Sequence, residues 1–310
     1  MINIPFYLTQ NYIFFFFFTF FVNIIYHFIL GAKFAIILKY SGEKISLIHA
    51  FYLFCIVKFS SIITPFFTGT LISKPILAKH YANVPIRKGI TLTFFEQTID
   101  FLVLIIIFPF TLLALGSSLF NPLTQIIFII ILVIGLFFII LKYELIIQTI
   151  WKLKPFLPNR VISIGEKYEL TRKNTVQSFK EIKGYFTNKK LLLAIFPFIL
   201  LQNLLIPVIL KLTAATLSIH MSYSVAYLVY FISVTVGKLS GLPGGVGSTD
   251  LTMAGLLFFF KMTPFQITGI IALFRLITLL PAITIGGFLT IYLSVKYSLK
   301  FTKGLKEKDT

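Results

Sequence analysis

The chain has 310 residues, of which 57% are hydrophobic and only 12% charged, whereas an ordinary soluble domain is about 45 to 50% apolar and about 25% charged. Lys and Arg number 28 against 10 Asp and Glu, a formal net charge of +18. These values exclude a water-soluble fold, leave no room within the chain for a separate soluble catalytic domain, and attribute the basic excess to membrane topology rather than to nucleic acid.

Apolar segments fall at about 12–38, 47–64, 91–115, 122–141, 191–210, 222–240, 250–260 and 265–295. At about 20 residues per span, the expected fold is an all-α polytopic membrane protein, a single membrane domain over residues 1–310 with about six full spans and two re-entrant hairpins. The first 30 residues lack a basic leader and a small-residue cleavage site, so they are read as a retained span. The connections at 39–46 and 74–90 and the tail at 296–310 are basic, residues 142–190 hold 11 Lys and Arg against four Glu, and 116–121 carries no charge. The positive-inside rule then predicts a multi-pass protein of the cell membrane with its N-terminus outside and its C-terminus in the cytoplasm.

That orientation conflicts with a simple crossing at 47–73, whose two ends must both be cytoplasmic. A re-entrant hairpin resolves the conflict: 47–64 enters, the chain turns at Thr64-Pro65-Phe66-Phe67-Thr68-Gly69, and a shorter arm returns. The same logic predicts a hairpin over 222–260 that breaks at Leu242-Pro243-Gly244-Gly245-Val246-Gly247. Pro65 to Gly69 and Pro243 to Gly247 share a Pro-x-x-x-Gly spacing, and Pro65 to Gln97 and Pro243 to Arg275 are both 32 residues. This register predicts an inverted repeat, with a first half at about 12–141 and a second at about 191–295. It also sets Glu96, Gln97 and Asp100 opposite Arg275. Between the halves, Ile164, Tyr168, Val176, Phe179, Ile182 and Phe186 recur at helical intervals among basic residues. They predict an amphipathic helix that either lies on the inner leaflet or packs on neighbouring segments.

Motifs for a serine elbow, a zinc helix or a phosphate-binding nucleotide loop are absent from the sequence. His27, His49, His80 and His220 are scattered without metal-ligand spacing and read as interfacial, and Cys55 stands alone, so neither metal nor cofactor is expected. The residues that draw notice are ionisable groups inside apolar segments: Lys58, Glu96, Asp100, Lys238, Asp250 and Arg275. Charge at membrane depth marks a function by default, with mutual pairing as its structural alternative. Arg275 is the foremost candidate for phosphate, since its planar fork binds two oxygens at once. Ser248, Thr249 and Asp250 are placed to cap the returning half-helix, and the glycine-rich breaks leave backbone N–H groups free for an anion. Glu96 and Asp100, one turn apart, can hold Arg275, meet a cationic headgroup or carry coupling protons.

Two stretches carry a family resemblance. Pro65-Phe-Phe-Thr-Gly69-Thr-Leu-Ile-Ser-Lys74-Pro75 followed by Phe95-Glu96-Gln97-Thr98-Ile99-Asp100, together with Leu242-Pro243-Gly244-Gly245-Val246-Gly247 and Phe274-Arg275, resembles the flippase-like membrane family that includes the transmembrane region of lysylphosphatidylglycerol synthases. Thr70 stands where that family often has Glu, Gln97 where it often has Arg, and Asp250 near a usual Glu. The resemblance implies an inverted-repeat fold that moves a phospholipid or isoprenoid-linked lipid between leaflets, and a transporter rather than an enzyme. The expected substrate site therefore gathers Lys58, Pro65, Gly69, Lys74, Glu96, Asp100, Lys238, Pro243, Gly244, Gly245, Gly247, Asp250 and Arg275. Its expected partners are anionic membrane lipids, with a homo-oligomer compatible and nucleic acid not. The alternatives are a small-solute or ion-coupled permease, a lipid-modifying transferase, and a membrane partner that organises another enzyme.

Overall fold

The structure is a computed structural model that describes residues 6–64, 68–114, 172–240, 242 and 245–306. Among these residues it is helical throughout: α1 (Phe6–Tyr40), α2 (Leu47–Ile63), α3 (Thr68–Ala82), α4 (Ile86–Ala114), α5 (Arg172–Thr187), α6 (Lys189–Thr216), α7 (Tyr223–Leu239), α8 (Ser248–Phe259), α9 (Pro264–Pro281), a π turn (Ala282–Gly286) and α10 (Gly287–Lys306). Three stretches are long and apolar enough to cross a membrane, Tyr12–Tyr40, Lys189–Thr216 and Pro264–Lys296. The expected segment 122–141, the linker residues up to Thr171, and with them Ile164 and Tyr168, lie outside the described residues.

The longest seam joins α1 to α6. The Tyr12 hydroxyl near the start of α1 lies 3.0 Å from Ser218 Oγ just past the end of α6, so the two helices run antiparallel. Each is followed by a pair of shorter packed helices, α2 with α3 and α7 with α8, and then by a long helix, α4 or α9. Two hydrophobic cores lie along the seam, each drawing residues from both α1 and α6. One joins Phe34, Leu53, Leu77, Leu92 and Ile195, and the other joins Ile209, Val229, Leu257, Ile270 and Ile277.

The sequence explains where the paired helices start and stop. Ser46 and Ser222 cap α2 and α7 by accepting from the His49 and Val225 amides at 3.3 Å. Thr64 ends α2 at φ −112° and ψ 140°, the extended conformation that a following proline imposes. Gly245 and Gly247 take φ +65° and +86°, which a side chain would oppose, and so turn the chain between α7 and α8. At 12 residues, α8 is about 18 Å long and reaches only part of a hydrocarbon core of about 30 Å.

Close helix approach explains two further glycines. A Cβ on Gly31 of α1 would meet the Phe51 nitrogen of α2 at 2.9 Å, and one on Gly286 would overlap the Cys55 carbonyl. α2 is thus held against α1 at one end and against the π turn at the other. That turn follows Pro281, which has no N–H to give the Ile277 carbonyl. Asn23 Nδ2 of α1 donates to that carbonyl at 2.8 Å instead.

The basic connections gather at one end of the molecule. Lys88 Nζ donates to the Ser41 carbonyl at 2.6 Å and to Glu43 Oε1 at 2.8 Å, and Arg87 Nη2 donates to Glu181 Oε1 of α5 at 3.0 Å. The apolar residues in the second half of α5 pack on protein: the Tyr185 and Phe186 rings lie 5.4 and 5.1 Å from that of Phe95, and Ile182 packs on the same core.

Candidate functional site

Two polar clusters lie among the helices. The first is a buried quartet in the first half. Lys33 Nζ of α1 donates to Asp100 Oδ1 at 2.8 Å, to Asp100 Oδ2 at 2.6 Å and to Gln202 Oε1 of α6 at 2.7 Å, and it lies 3.1 Å from Glu96 Oε1. Lys74 of α3 donates to the other Glu96 oxygen, Oε2. Its ammonium also sits over the rings of Phe34 and Phe54, 4.4 and 4.1 Å from their centroids, a cation–π contact that strengthens when water is excluded. Lys33, Lys74 and Glu96 are buried, and Asp100 alone keeps an exposed edge, at 18%. Two ammonium groups face two carboxylates, so the quartet is neutral and ties α1, α3, α4 and α6 together.

This arrangement corrects the expected pairing across the halves. Glu96 and Asp100 do not hold Arg275; Lys33 and Lys74 take both carboxylates. Arg275 Nε instead donates to Asp250 Oδ1 at 2.7 Å within the second half. Lys33 and Gln202 are not among the residues expected to form the site. Lys33 is five residues from the basic edge of the first apolar run and passes for a flanking charge, yet a lysine inside a run calls for a buried partner. His27 departs from expectation as well. It is buried, with Nδ1 2.8 Å from the Asn23 carbonyl, while His49, His80 and His220 are exposed.

The second cluster lies beside the helix breaks. Asp250 Oδ2 accepts the Gly247 amide at 3.0 Å, which fastens the turn to the first residues of α8, as its capping position predicts. Ser240 Oγ lies 2.7 Å from Ser248 Oγ and bridges the two arms across the break. Thr249 Oγ1 fills the space against Gly237 and Gly245, where a Cβ would collide with it. Arg275, bonded to Asp250 through Nε, leaves Nη2 buried without a partner.

Lys58 belongs to the same neighbourhood. It is within electrostatic range of Arg275, Lys238 and His27, and Lys238 is within range of Asp100. Lys58 lies near the end of α2 and Lys238 near the end of α7, each shortly before a break. Both side chains keep substantial accessible surface. Among the described residues neither lysine has a hydrogen-bonding or ion-pair partner. His27 Nε2 and Asn23 Oδ1, one turn apart on α1, are also buried without partners.

Of the other expected site residues, Gly245 and Gly247 form the second turn and Gly69 is the second residue of α3, whereas Pro65, Pro243 and Gly244 lie outside the described residues. Among the described residues, no group of His, Cys, Asp and Glu has the arrangement of a metal site.

This disposition, two polar clusters within an apolar helical body, accompanies what the comparison with family models finds. The model described as the lysylphosphatidylglycerol synthase TM region matches residues 7–286. The chain belongs to this family. No curated protein and no solved structure matches it. The matched residues run from α1 to the end of the π turn, so both helix pairs, the quartet and the cluster around Arg275 lie within the family region. The protein is accordingly a membrane protein of a lipid-related family.

Proposed function

We propose that this protein is a lipid translocase that carries a phospholipid or isoprenoid-linked lipid between leaflets, its headgroup held in the cavity beside the two breaks. The observation that carries the reading is the pair Lys58 and Lys238, one near the tip of each helix pair, both exposed and without a hydrogen-bonding or ion-pair partner among the described residues, with Lys58 in electrostatic range of Lys238 and Arg275. A cation at membrane depth without a counter-ion is costly unless an anion visits it. A lipid phosphate supplies that charge while the acyl or prenyl chains stay among the apolar outer faces.

In this reading the two helix pairs are re-entrant hairpins of an inverted repeat. The antiparallel α1 and α6, each followed by a pair and a long helix, support that symmetry. The gathering of Lys88, Arg87 and α5 at one end supports a cytoplasmic face there, with the N-terminus outside, in the cell membrane. Transport rather than group transfer is favoured because Glu96 and Asp100, the carboxylates a transferase would use as a base, are engaged by lysines. The sequence has no nucleotide loop, so movement follows a gradient or an ion, and Asp100, with its exposed edge, is the candidate for coupling.

Reconstituted vesicles with a fluorescent headgroup lipid and an impermeant quencher test the proposal. Loss of one charge-assisted contact predicts a rate at least about tenfold slower for Arg275→Ala and for Lys58→Gln/Lys238→Gln, each folded as wild type. Wild-type translocation by folded Arg275→Ala would overturn its phosphate role, and uptake of a soluble solute without lipid movement would select a permease.

A further inference from the structure

The buried quartet treats its two carboxylates unequally, and the difference names the ion that drives transport, an inference that rests on the translocase reading. Four oxygens stand within 3.1 Å of Lys33 Nζ: Asp100 Oδ1 at 2.8 Å, Asp100 Oδ2 at 2.6 Å, Gln202 Oε1 at 2.7 Å and Glu96 Oε1. An ammonium group has only three N–H bonds to give. One acceptor is therefore surplus. Asp100 supplies two of the four, so it can yield one oxygen to a proton while Lys33 keeps an acceptor for each N–H. The new O–H then needs an acceptor of its own, and the 18% of the Asp100 side chain that stays exposed can meet water.

Glu96 has no such freedom. Its two oxygens meet different lysines, it is 1% exposed, and among the described residues Lys74 bonds no other carboxylate. A proton on Glu96 would leave the buried Lys74 ammonium over two aromatic rings without an anion, the costly case of a buried charge that has lost its partner. A proton on Asp100 leaves Lys33 and Lys74 both on Glu96. The other groups around Asp100 do not change this choice. Lys33 of α1, Lys74 of α3 and Glu96 belong to the quartet, and Tyr26 of α1 and Lys238 of α7 are within electrostatic range. α6 presents the neutral Gln202, and α5 sets Tyr185 against Phe95, more than a turn earlier on α4. We infer that Asp100 binds and releases one proton in each transport cycle while Glu96 stays ionised.

Full-length protein in liposomes with a trace of fluorescent headgroup lipid tests this. The membrane potential is clamped, a pH difference of about one unit is imposed, and an impermeant quencher reads the leaflet ratio. One proton per lipid predicts about a tenfold excess of the lipid in one leaflet, matching the ratio of proton activities. Folded Asp100→Asn should still move lipid but equalise the leaflets under any gradient, and Asp100→Glu should restore the excess. A carboxylate that only held helices together would not separate lipid movement from the gradient in this way. Should Asp100→Asn fail to fold, infrared difference spectra of the wild type between alkaline and acid medium give a second reading. A protonated-carboxyl band should appear, and Asp100→Glu should shift it. An excess retained by Asp100→Asn, wild-type leaflets that stay equal under the gradient, or the absence of that band would overturn the inference and leave the translocase reading standing. The band and proton uptake without lipid movement would uphold the proton site and overturn the lipid reading.

Discussion

Glu96 is the carboxylate that two lysines share. It is buried and meets Lys33 and Lys74 through different oxygens, so neutralising it leaves the buried Lys74 ammonium without a carboxylate and Lys33 with Asp100 alone. Removing one partner of a buried pair destabilises by about 3 to 5 kcal/mol, whereas an exposed pair contributes about 0 to 1 kcal/mol. Glu96→Gln should therefore lower the melting temperature in detergent far more than Asp250→Asn, since Arg275 and Asp250 keep 22% and 26% of their side-chain surface. An equal loss from the two substitutions would contradict the distinction between a structural quartet and an accessible site. The separate charges were legible in the sequence, but their pairing was not. The shared 32-residue register pointed from Glu96 and Asp100 to Arg275, while lysines on α1 and α3 stand closer to both carboxylates. Pairing depends on which helix faces are neighbours, and spacing along one chain does not encode that. Asp250 was legible because a cap acts within a single turn.

At the scale of elements, the extended end of α2 at Thr64 and the positive-φ turn at Gly245 and Gly247 are legible because proline and glycine act through local backbone chemistry. The brace on α9 was hidden, because Asn23 and Ile277 are 254 residues apart. Asn23 substitutes for the N–H that Pro281 lacks, and a double-mutant cycle exposes this. Asn23→Ala should destabilise by about 1 to 3 kcal/mol, the cost of leaving a buried carbonyl unmet, and clearly less in a Pro281→Ala background, where a backbone N–H is restored. Strict additivity in chemical or thermal unfolding would refute the substitution. Gly286→Leu should prevent α2 from seating on the π turn, since even a Cβ overlaps the Cys55 carbonyl; its readout is loss of the monodisperse peak in size-exclusion chromatography. Gly237→Ala should fold poorly alone and better with Thr249→Ala, because Thr249 Oγ1 occupies the space the new methyl needs. The amphipathic period of α5 showed in the sequence, but its seat against Phe95 did not, since an apolar stripe fits lipid and protein alike.

For the whole molecule, composition alone was enough to indicate a membrane protein, and the α1–α6 seam joins two of its long apolar helices in antiparallel directions. Lipid translocation as proposed requires a wet space that both helix pairs reach, with Lys58 and Lys238 on its walls. Single cysteines test this directly in a Cys55→Ala background, since Cys55 is the chain's only cysteine and is buried. Lys58→Cys and Lys238→Cys proteins in liposomes would be treated with a membrane-impermeant thiol reagent, with and without phosphatidic acid. The account predicts that both positions react and that the lipid slows both reactions by at least about tenfold, as expected when a bound headgroup fills their shared space. Failure of either position to react, or reaction at both with no protection by lipid, would contradict it.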